Sequence, residues 1–314
     1  MPSPLVASLL AAAPSAPALS ANPVTDAREL FAYPFMVAAL EAGTVVAVLA
    51  AAIGWVMVLR RQSFAGHTLA VVGFPGAAGA TLLGLPIAAG YFGACILSAL
   101  VIAGVPRGRA GTTRGAESAV TGAVQAFALA SGVLFVNLYR GFLNGVDALL
   151  FGSFLGVTAS QLLILAAVAV GALAVLAFLW RPLLFSSVDP DVAAARGVPV
   201  ASLSVAFLVL VAVAVAAASE ITGSLLVFAL LVMPAAAAQR LTARPGLGLL
   251  LAVVIALAVT WAGLGIAYFS IYPSGFFLTS FGFAAYLVAV GVRSVSEGRG
   301  RRARATRAPG SLST

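Results

Sequence analysis

Long apolar runs, each of the length that a helix needs to cross a bilayer, follow one another along most of this chain. Charged residues make up only 8% of the 314 residues, against 62% hydrophobic, and so few charges cannot cover the water-facing surface of a soluble protein. The sequence therefore predicts an all-α fold, a polytopic transmembrane helical bundle in the plasma membrane. About nine spans are expected from a window of some 20 apolar residues, at 35–59, 68–85, 87–106, 116–136, 162–180, 202–219, 222–239, 247–268 and 276–292.

Composition divides the chain into three parts. Residues 1–34 are rich in Ala, Pro and Ser and form a predicted N-terminal arm, either mobile or lying at the membrane interface. Residues 35–292 form the transmembrane domain, and residues 293–314 form a basic tail that we expect to be disordered and close to anionic lipid headgroups. Within the domain, glycines and Asp147 interrupt the apolar segment 141–161, which is typical of a short re-entrant or interfacial helix.

Arginine placement gives the predicted spans a direction. All 17 basic residues are arginine, and every one except Arg28 and Arg140 falls in alternate loops or near the C-terminus. Because basic residues accumulate in cytoplasmic loops, these loops and the C-terminal tail are predicted to be cytoplasmic, with the N-terminus outside. An odd number of spans satisfies this arrangement. Topology thus explains the net charge of +8, and the sequence indicates membrane lipid, not nucleic acid, as a partner.

The link between the fifth and sixth predicted spans, residues 183–200, carries the signals of a short helix. An Asp-Pro-Asp sequence supplies an N-cap, a proline for the first helical position and a negative charge near the positive end of the helix dipole. A glycine then ends the helix. Such a helix is either a plain connector or a coupling helix that docks into a cytoplasmic motor subunit. The residues concerned are Asp189, Pro190, Asp191, Arg196 and Gly197.

Four stretches of sequence, taken together, carry a more specific signal. They are RRQSFAGHTLA at 60–70, LFGSFLGVTASQLL at 150–163, DPDVAAARGVPV at 189–200 and TGSLLVFALLVMPAAAAQRL at 222–241. In this order they resemble the motifs of the permease subunit of the ABC importers for zinc, manganese and iron. The resemblance covers nearly all of residues 35–292.

The resemblance implies a transport component, which is not itself an enzyme. Two permease subunits would form a dimer with a pathway along its axis, and an extracytoplasmic solute-binding protein would deliver a divalent metal ion, zinc or manganese and possibly iron. Separate ATPase subunits would bind the coupling segments, with Asp189, Pro190, Asp191, Arg196 and Gly197 as coupling residues. ATP would be bound and hydrolysed there, and the chain itself has no G-x-x-x-x-G-K-[ST] motif and no expected covalent cofactor.

The chain departs from the family at the start of the second span. Zinc and manganese permeases carry an Asp there and, four residues later, a His, so that both side chains share one helix face. In this chain the two positions are occupied by His67 and Val71. A neutral imidazole suits zinc and similar ions, whereas valine cannot bind a metal. His67, the only histidine, is therefore a candidate metal ligand with an equally plausible structural role, and one ligand per subunit is too few for a closed zinc site.

Two carboxylates are further pathway candidates. Glu41 lies inside the first apolar run, where a charge is costly unless it faces the bundle interior or a water-filled path, and a structural hydrogen bond is the alternative. Asp147 lies in the interrupted outer segment, where it could receive the ion or face the binding protein. Glu220 is expected to be a solvated residue of an outer turn between the sixth and seventh spans.

Two other function classes fit a polytopic membrane protein. A stand-alone secondary transporter commonly has inverted repeats and charged residues inside its spans, but no repeat is evident and only Glu41 is clearly inside a span. A membrane-embedded enzyme would need a motif such as H-E-x-x-H or G-x-S-x-G, and neither is present. An ABC permease for a non-metal cargo also stays open.

Overall fold

The computed structural model describes residues 23–104, 113–138, 152 and 154–305. Within these residues the regular structure is entirely helical, which confirms the predicted all-α class. A helix satisfies its backbone N–H and C=O groups internally, as a chain in lipid must. The α-helices are α1 Pro23–Ala32, α2 Pro34–Leu59, α3 Ser63–Leu82, α4 Ile87–Ala103, α5 Thr113–Leu138, α6 Ala159–Val188, α7 Pro190–Ala195, α8 Val200–Thr222, α9 Ser224–Leu241, α10 Pro245–Tyr268 and α11 Ser274–Ala305, and a short 3-10 helix lies at Phe154–Gly156.

Among the described helices, six are long and apolar enough to cross a membrane, and two shorter apolar helices accompany them. Each of the nine predicted spans overlaps one helix of the sets α2–α6 and α8–α11. Helix α3 has 20 residues, but His67 and several glycines lower its hydropathy. The six are α2, Ser118–Leu138 within α5, α6, α8, α10 and Ser274–Ser296 within α11, and the shorter two are α4 and Leu226–Leu241 within α9.

Helix α2 lies at the centre of the bundle. It packs against α6, α9 and α10, and most of its residues are buried. On its two sides, α3 packs against α4 and α5, while α9 packs against α11. The outer helices α5, α6 and α11 expose large apolar side chains, including Phe127 and Phe178, as a surface that meets lipid would.

Small residues let the helix backbones come close together. A Cβ atom added at Gly54 of α2 would clash with the carbonyl oxygen of Leu231 in α9. The same holds between α3 and α4, where Gly76 and Gly90 lie against one another. In lipid the hydrophobic effect does not drive helices together, and close van der Waals packing of this kind promotes their association instead. It fixes α2 against α9 and α3 against α4.

The structured region extends beyond the predicted spans at both ends. Helix α1 lies within the predicted N-terminal arm, and α2 begins after Tyr33 with Pro34 in its first turn. At the other end, α11 continues past residue 292 as far as Ala305. Arginine, which accounts for five of the residues 293–305, is a strong helix former and favours this continuation.

Candidate pathway and coupling residues

His67 lies one turn into α3 and faces α9. Its half-buried ring packs against Phe228, with the ring centroids 4.6 Å apart. Its Nδ1 atom is buried and has no hydrogen-bond partner among the described residues. Val71, one turn later, is buried and apolar. A histidine nitrogen without a partner can bind a passing ion, but the predicted role of His67 as a metal ligand stays a prediction.

Glu41 and His67 lie in opposite halves of the bundle. Glu41 is 18 residues before the end of α2, which corresponds to about 27 Å along the helix axis. His67 follows that end closely, in the second turn of α3. Glu41 is exposed, although most residues of α2 are buried, and so it lies on a strip of α2 that the described helices leave uncovered. In the same strip, Trp261 donates a hydrogen bond of 2.9 Å to the hydroxyl of Thr44.

No cluster of conventional metal ligands surrounds either residue in the part of the chain that the structure describes. No three His, Cys, Asp or Glu side chains come close enough together there to hold a metal ion. Asp147 lies outside the described residues. Glu41 and His67, the two predicted pathway residues within the described ranges, are therefore not brought together in one chain.

The connection between α8 and α9 is polar and buried. We call residues 219–224 the buried polar turn. Ser219 and Ser224 are both 1% exposed, and their hydroxyl groups have no partner within the described ranges. Thr222 is fully buried and donates a hydrogen bond of 3.0 Å to the carbonyl oxygen of Ala218. This burial was not predictable from the local sequence, because a Ser-Glu-x-Thr-Gly-Ser stretch is typical of an exposed turn.

The expectation that Glu220 is solvated is therefore wrong in part. Glu220 is half-buried and lies between fully buried neighbours. The cause is the segment that precedes α6, which covers the turn: Gly152 lies so close to Ile221 and Thr222 that an added Cβ atom would clash with their backbone. Contact between segments distant in sequence, not local pattern, decides the exposure of this turn.

Ser219, at the start of the buried polar turn, lies next to the midpoint of α3 in space. A Cβ atom added at Gly73, the midpoint of α3, would lie 3.7 Å from the hydroxyl oxygen of Ser219 and 2.9 Å from the ring of Tyr91. Gly223 has φ 77° and ψ 156°, a backbone conformation that only glycine adopts readily. The chain therefore turns from α8 into α9 with helix ends and hydroxyl groups packed where apolar side chains would otherwise lie.

Helix α7 has the geometry that its sequence predicts. The Oδ1 atom of Asp189 accepts hydrogen bonds from the backbone N–H groups of Asp191, at 3.1 Å, and Val192, at 3.0 Å. Pro190 occupies the first turn, and Gly197 follows the helix with φ 83°. Asp189, Pro190, Asp191, Arg196 and Gly197 are all exposed. Their role in coupling to a motor subunit stays a prediction.

Arg60, which the sequence analysis used in predicting the topology, joins the helices on both sides of α7. The guanidinium of Arg60 donates hydrogen bonds to Ser186, at 3.0 Å, and Ser187, at 3.4 Å, near the end of α6. It donates another of 2.7 Å to Ser204 in the second turn of α8 and lies over the ring of Phe207, 5.6 Å from its centroid. We call Arg60, Ser186, Ser187 and Ser204 the arginine–serine junction.

Comparison with known proteins identifies a family model and several relatives that match most of the chain. A model described as the ABC 3 transport family matches residues 32–293. The chelated iron transport system membrane protein YfeC of Yersinia pestis is 32% identical over 245 residues, which is 78% of this chain and 81% of that protein. The manganese transport system membrane protein MntC of Halalkalibacterium halodurans is 29% identical over 77% of this chain and 81% of its own length. The high-affinity zinc uptake system membrane protein ZnuB of Haemophilus influenzae is 26% identical over 66% and 78%, respectively.

Solved structures share the fold. The structure titled PsaBC from Streptococcus pneumoniae in complex with Fab superimposes with a TM-score of 0.74 and 23% sequence identity, over 85% of this chain and 94% of that chain. At this identity the likeness establishes the helical fold alone.

Proposed function

Because this chain belongs to the ABC 3 transport family, we propose that it is the membrane-spanning permease subunit of an ATP-driven importer for a divalent metal ion. It is a multi-pass membrane protein. The observation that carries the proposal is the family match over residues 32–293, together with relatives named for the transport of iron, manganese and zinc. The cargo is one of these three metals, and it is a substrate in transit, not a resident cofactor.

The partners follow from the same membership. A separate ATPase subunit hydrolyses ATP and docks on α7 through Asp189, Pro190, Asp191, Arg196 and Gly197. The exposure of α7 and its two cap hydrogen bonds support this docking, because a partner can reach a helix that already holds its shape. A solute-binding protein delivers the metal from outside, and a second permease copy completes a homodimer.

The topology that we propose has nine spans. Helices α2–α6 and α8–α11 each cross the membrane, with the N-terminus outside and the C-terminus in the cytoplasm. Residues 1–34 form the outer arm, residues 35–292 the permease domain, and residues 293–314 the basic cytoplasmic tail. The arginine distribution supports this direction, since it leaves only Arg28 and Arg140 outside.

The pathway that we propose uses His67, Glu41 and Asp147. Val71 removes the second ligand of the usual pair, so a metal at His67 needs further ligands from water or from the second copy. The exposed position of Glu41 on the enclosed helix α2 supports a role along an axis shared by two copies. The Nδ1 atom of His67, which has no hydrogen-bond partner among the described residues, supports a role in binding an ion.

The experiment is vesicle uptake by the reconstituted importer. Purified permease, its ATPase and its solute-binding protein are placed in proteoliposomes, and uptake of radioactive zinc, manganese and iron is followed with ATP and with a non-hydrolysable ATP analogue. We expect ATP-dependent uptake of at least one metal. ATP-dependent uptake of none of them would remove the metal assignment. Uptake driven by an ion gradient without the ATPase would instead support a secondary transporter.

His67→Ala gives a narrower test of the pathway, with Thr81→Ala as the control, because the Thr81 hydroxyl bonds to the Ala77 carbonyl within the same helix. We expect His67→Ala to raise the metal concentration needed for half-maximal uptake, because the path loses its one imidazole. Unchanged uptake would exclude His67 from the pathway while leaving the importer assignment intact.

A further inference from the structure

The arginine–serine junction connects the flanks of the coupling helix α7 with the α2–α3 turn near His67, and the proposed function gives these two regions different roles. Ser186 and Ser187 lie in the last turn of α6, immediately before Asp189 ends that helix and caps α7. Ser204 lies in the second turn of α8, which follows α7. Both flanks of the coupling helix are therefore bonded to one side chain, Arg60, which belongs to a different hairpin.

Arg60 is itself part of a stiff turn that leads into α3. Its backbone N–H donates to the carbonyl oxygen of Val56, and that of Arg61 donates to Val58. The N–H of Gln62 donates to Met57, and α3 begins at the next residue. These bonds join the backbone of Arg60 to the start of α3 through a short turn, and His67 lies only one helical turn further along.

The serines are prepared to accept the guanidinium. The hydroxyls of Ser186 and Ser187 each donate to the carbonyl oxygen of Leu183, which leaves their lone pairs available to Arg60. Ser186 is 3% exposed and Ser204 is 5% exposed, so water does not compete freely for these bonds. The acceptors are neutral, and the geometry of the planar guanidinium fork, which offers several donors at once, selects arginine over lysine.

We propose that Arg60 is the positioning residue that transmits movement of the coupling helix α7 to the start of α3. Movement of α7 driven by the ATPase displaces the end of α6 and the start of α8 together, because Arg60 holds both. The same guanidinium then carries the displacement into the α2–α3 turn and onto the helix that holds His67. This inference rests on the proposed function, and it assigns the mechanical link within it.

The test compares two adjacent arginines in the reconstituted importer. Arg60→Gln removes the junction, whereas Arg61→Gln changes an exposed neighbour of the same charge. Metal uptake and ATP hydrolysis are measured on the same proteoliposomes, with the wild-type importer as reference. For Arg60→Gln we expect ATP hydrolysis to persist while the amount of metal moved per ATP falls about tenfold, within the usual range of coupling between sites. Arg61→Gln should keep the wild-type ratio.

Two further variants separate transmission from general support of the fold. Ser186→Ala combined with Ser204→Ala should lower the same ratio, and adding it to Arg60→Gln should lower the ratio no further, since all three residues act through one link. Arg60→Lys should recover the ratio only in part, because an ammonium group cannot reach both flanks.

The outcomes distinguish this inference from the function on which it rests. If the wild-type importer moves no metal, the proposed function fails. If it moves metal and Arg60→Gln lowers uptake and hydrolysis in equal proportion, or changes neither, Arg60 does not transmit movement. Should Arg60→Gln fail to assemble, the serine variant decides, and an unchanged ratio in that variant overturns the inference.

Discussion

The arginine–serine junction and the buried polar turn place hydroxyl groups in the same kind of surroundings with opposite results. At the junction, Ser186 and Ser204 are buried and accept hydrogen bonds from Arg60. In the turn, Ser219 and Ser224 are equally buried, yet their hydroxyls find no partner in the described part of the chain. A satisfied buried polar group fixes geometry, whereas an unsatisfied one lowers stability. The junction thus holds the fold together, while the turn weakens it.

The contrast has exceptions on the side of the junction. The indole N–H of Trp55 and the side-chain oxygen of Gln62 are also buried without partners among the described residues. They lie close to hydrogen bonds that are made, including the one of 2.8 Å that Gln239 donates to the carbonyl oxygen of Trp55. The comparison therefore concerns the hydroxyl groups.

The largest effect is expected at Gly223 in the buried polar turn. Gly223→Ala forces an L-residue into a backbone region that only glycine occupies readily, and should lower the free energy of unfolding by about 3 kcal/mol. Thermal unfolding in detergent measures this loss. Gly171→Ala is the matched control, because Gly171 lies in α6 with open space around it and alanine favours a helix. Equal stability of the two variants would mean that the turn does not require its observed conformation.

Removing one acceptor from the junction should have the next largest effect. Ser204→Ala deletes the 2.7 Å bond from Arg60 and should lower the free energy of unfolding by about 1.5 kcal/mol, as expected for a hydrogen bond to a charged group. Ser131→Ala is the control: its hydroxyl bonds to the Phe127 carbonyl within its own helix. If both variants unfold alike, the junction contributes no more than an ordinary surface hydroxyl.

A smaller effect is expected at the cap of α7. Asp189→Ala removes the acceptor for two backbone N–H groups and should destabilise this short helix by about 1 kcal/mol. Faster hydrogen exchange at the amides of Asp191 and Val192 would report the loss. Asp189→Asn, which keeps a capping oxygen, should retain most of the protection. Identical exchange in the alanine variant and the wild type would show that the cap is dispensable.

The helices and the cap of α7 could be predicted from the sequence because both depend on neighbouring residues. The apolar runs marked the helices, and the Asp-Pro-Asp stretch marked the start of α7. The junction was out of reach, since Arg60 is 126 positions from Ser186 and 144 from Ser204. In the sequence, Arg60 contributed to the predicted topology and to the RRQSFAGHTLA stretch, and neither use pointed to its hydrogen bonds.

The exposure of two carboxylates was equally hard to predict from the sequence. Glu220 was expected in solvent, but its burial depends on the segment around Gly152, which lies about 70 positions away and packs onto the turn by close backbone contact. The exposure of Glu41 likewise depends on which faces of α2 its neighbours cover. Local pattern predicts that a residue is in a span, and long-range packing decides what it meets there.

The smallest effect on stability, and the sharpest test of the comparison, is expected for the hydroxyls of the buried polar turn. Ser219→Ala and Ser224→Ala remove groups that have lost their water without gaining a partner, so the free energy of unfolding should stay within about 0.5 kcal/mol of wild type or rise slightly. Thermal unfolding of these variants is compared with that of Ser204→Ala as an internal reference, since all three substitutions remove a serine hydroxyl from a buried position. A loss at Ser219 as large as that at Ser204 would mean that its hydroxyl has a partner, and the contrast between turn and junction would disappear. Unchanged stability would show that the hydrogen bond to Arg60, not burial of the serine, makes the junction hold.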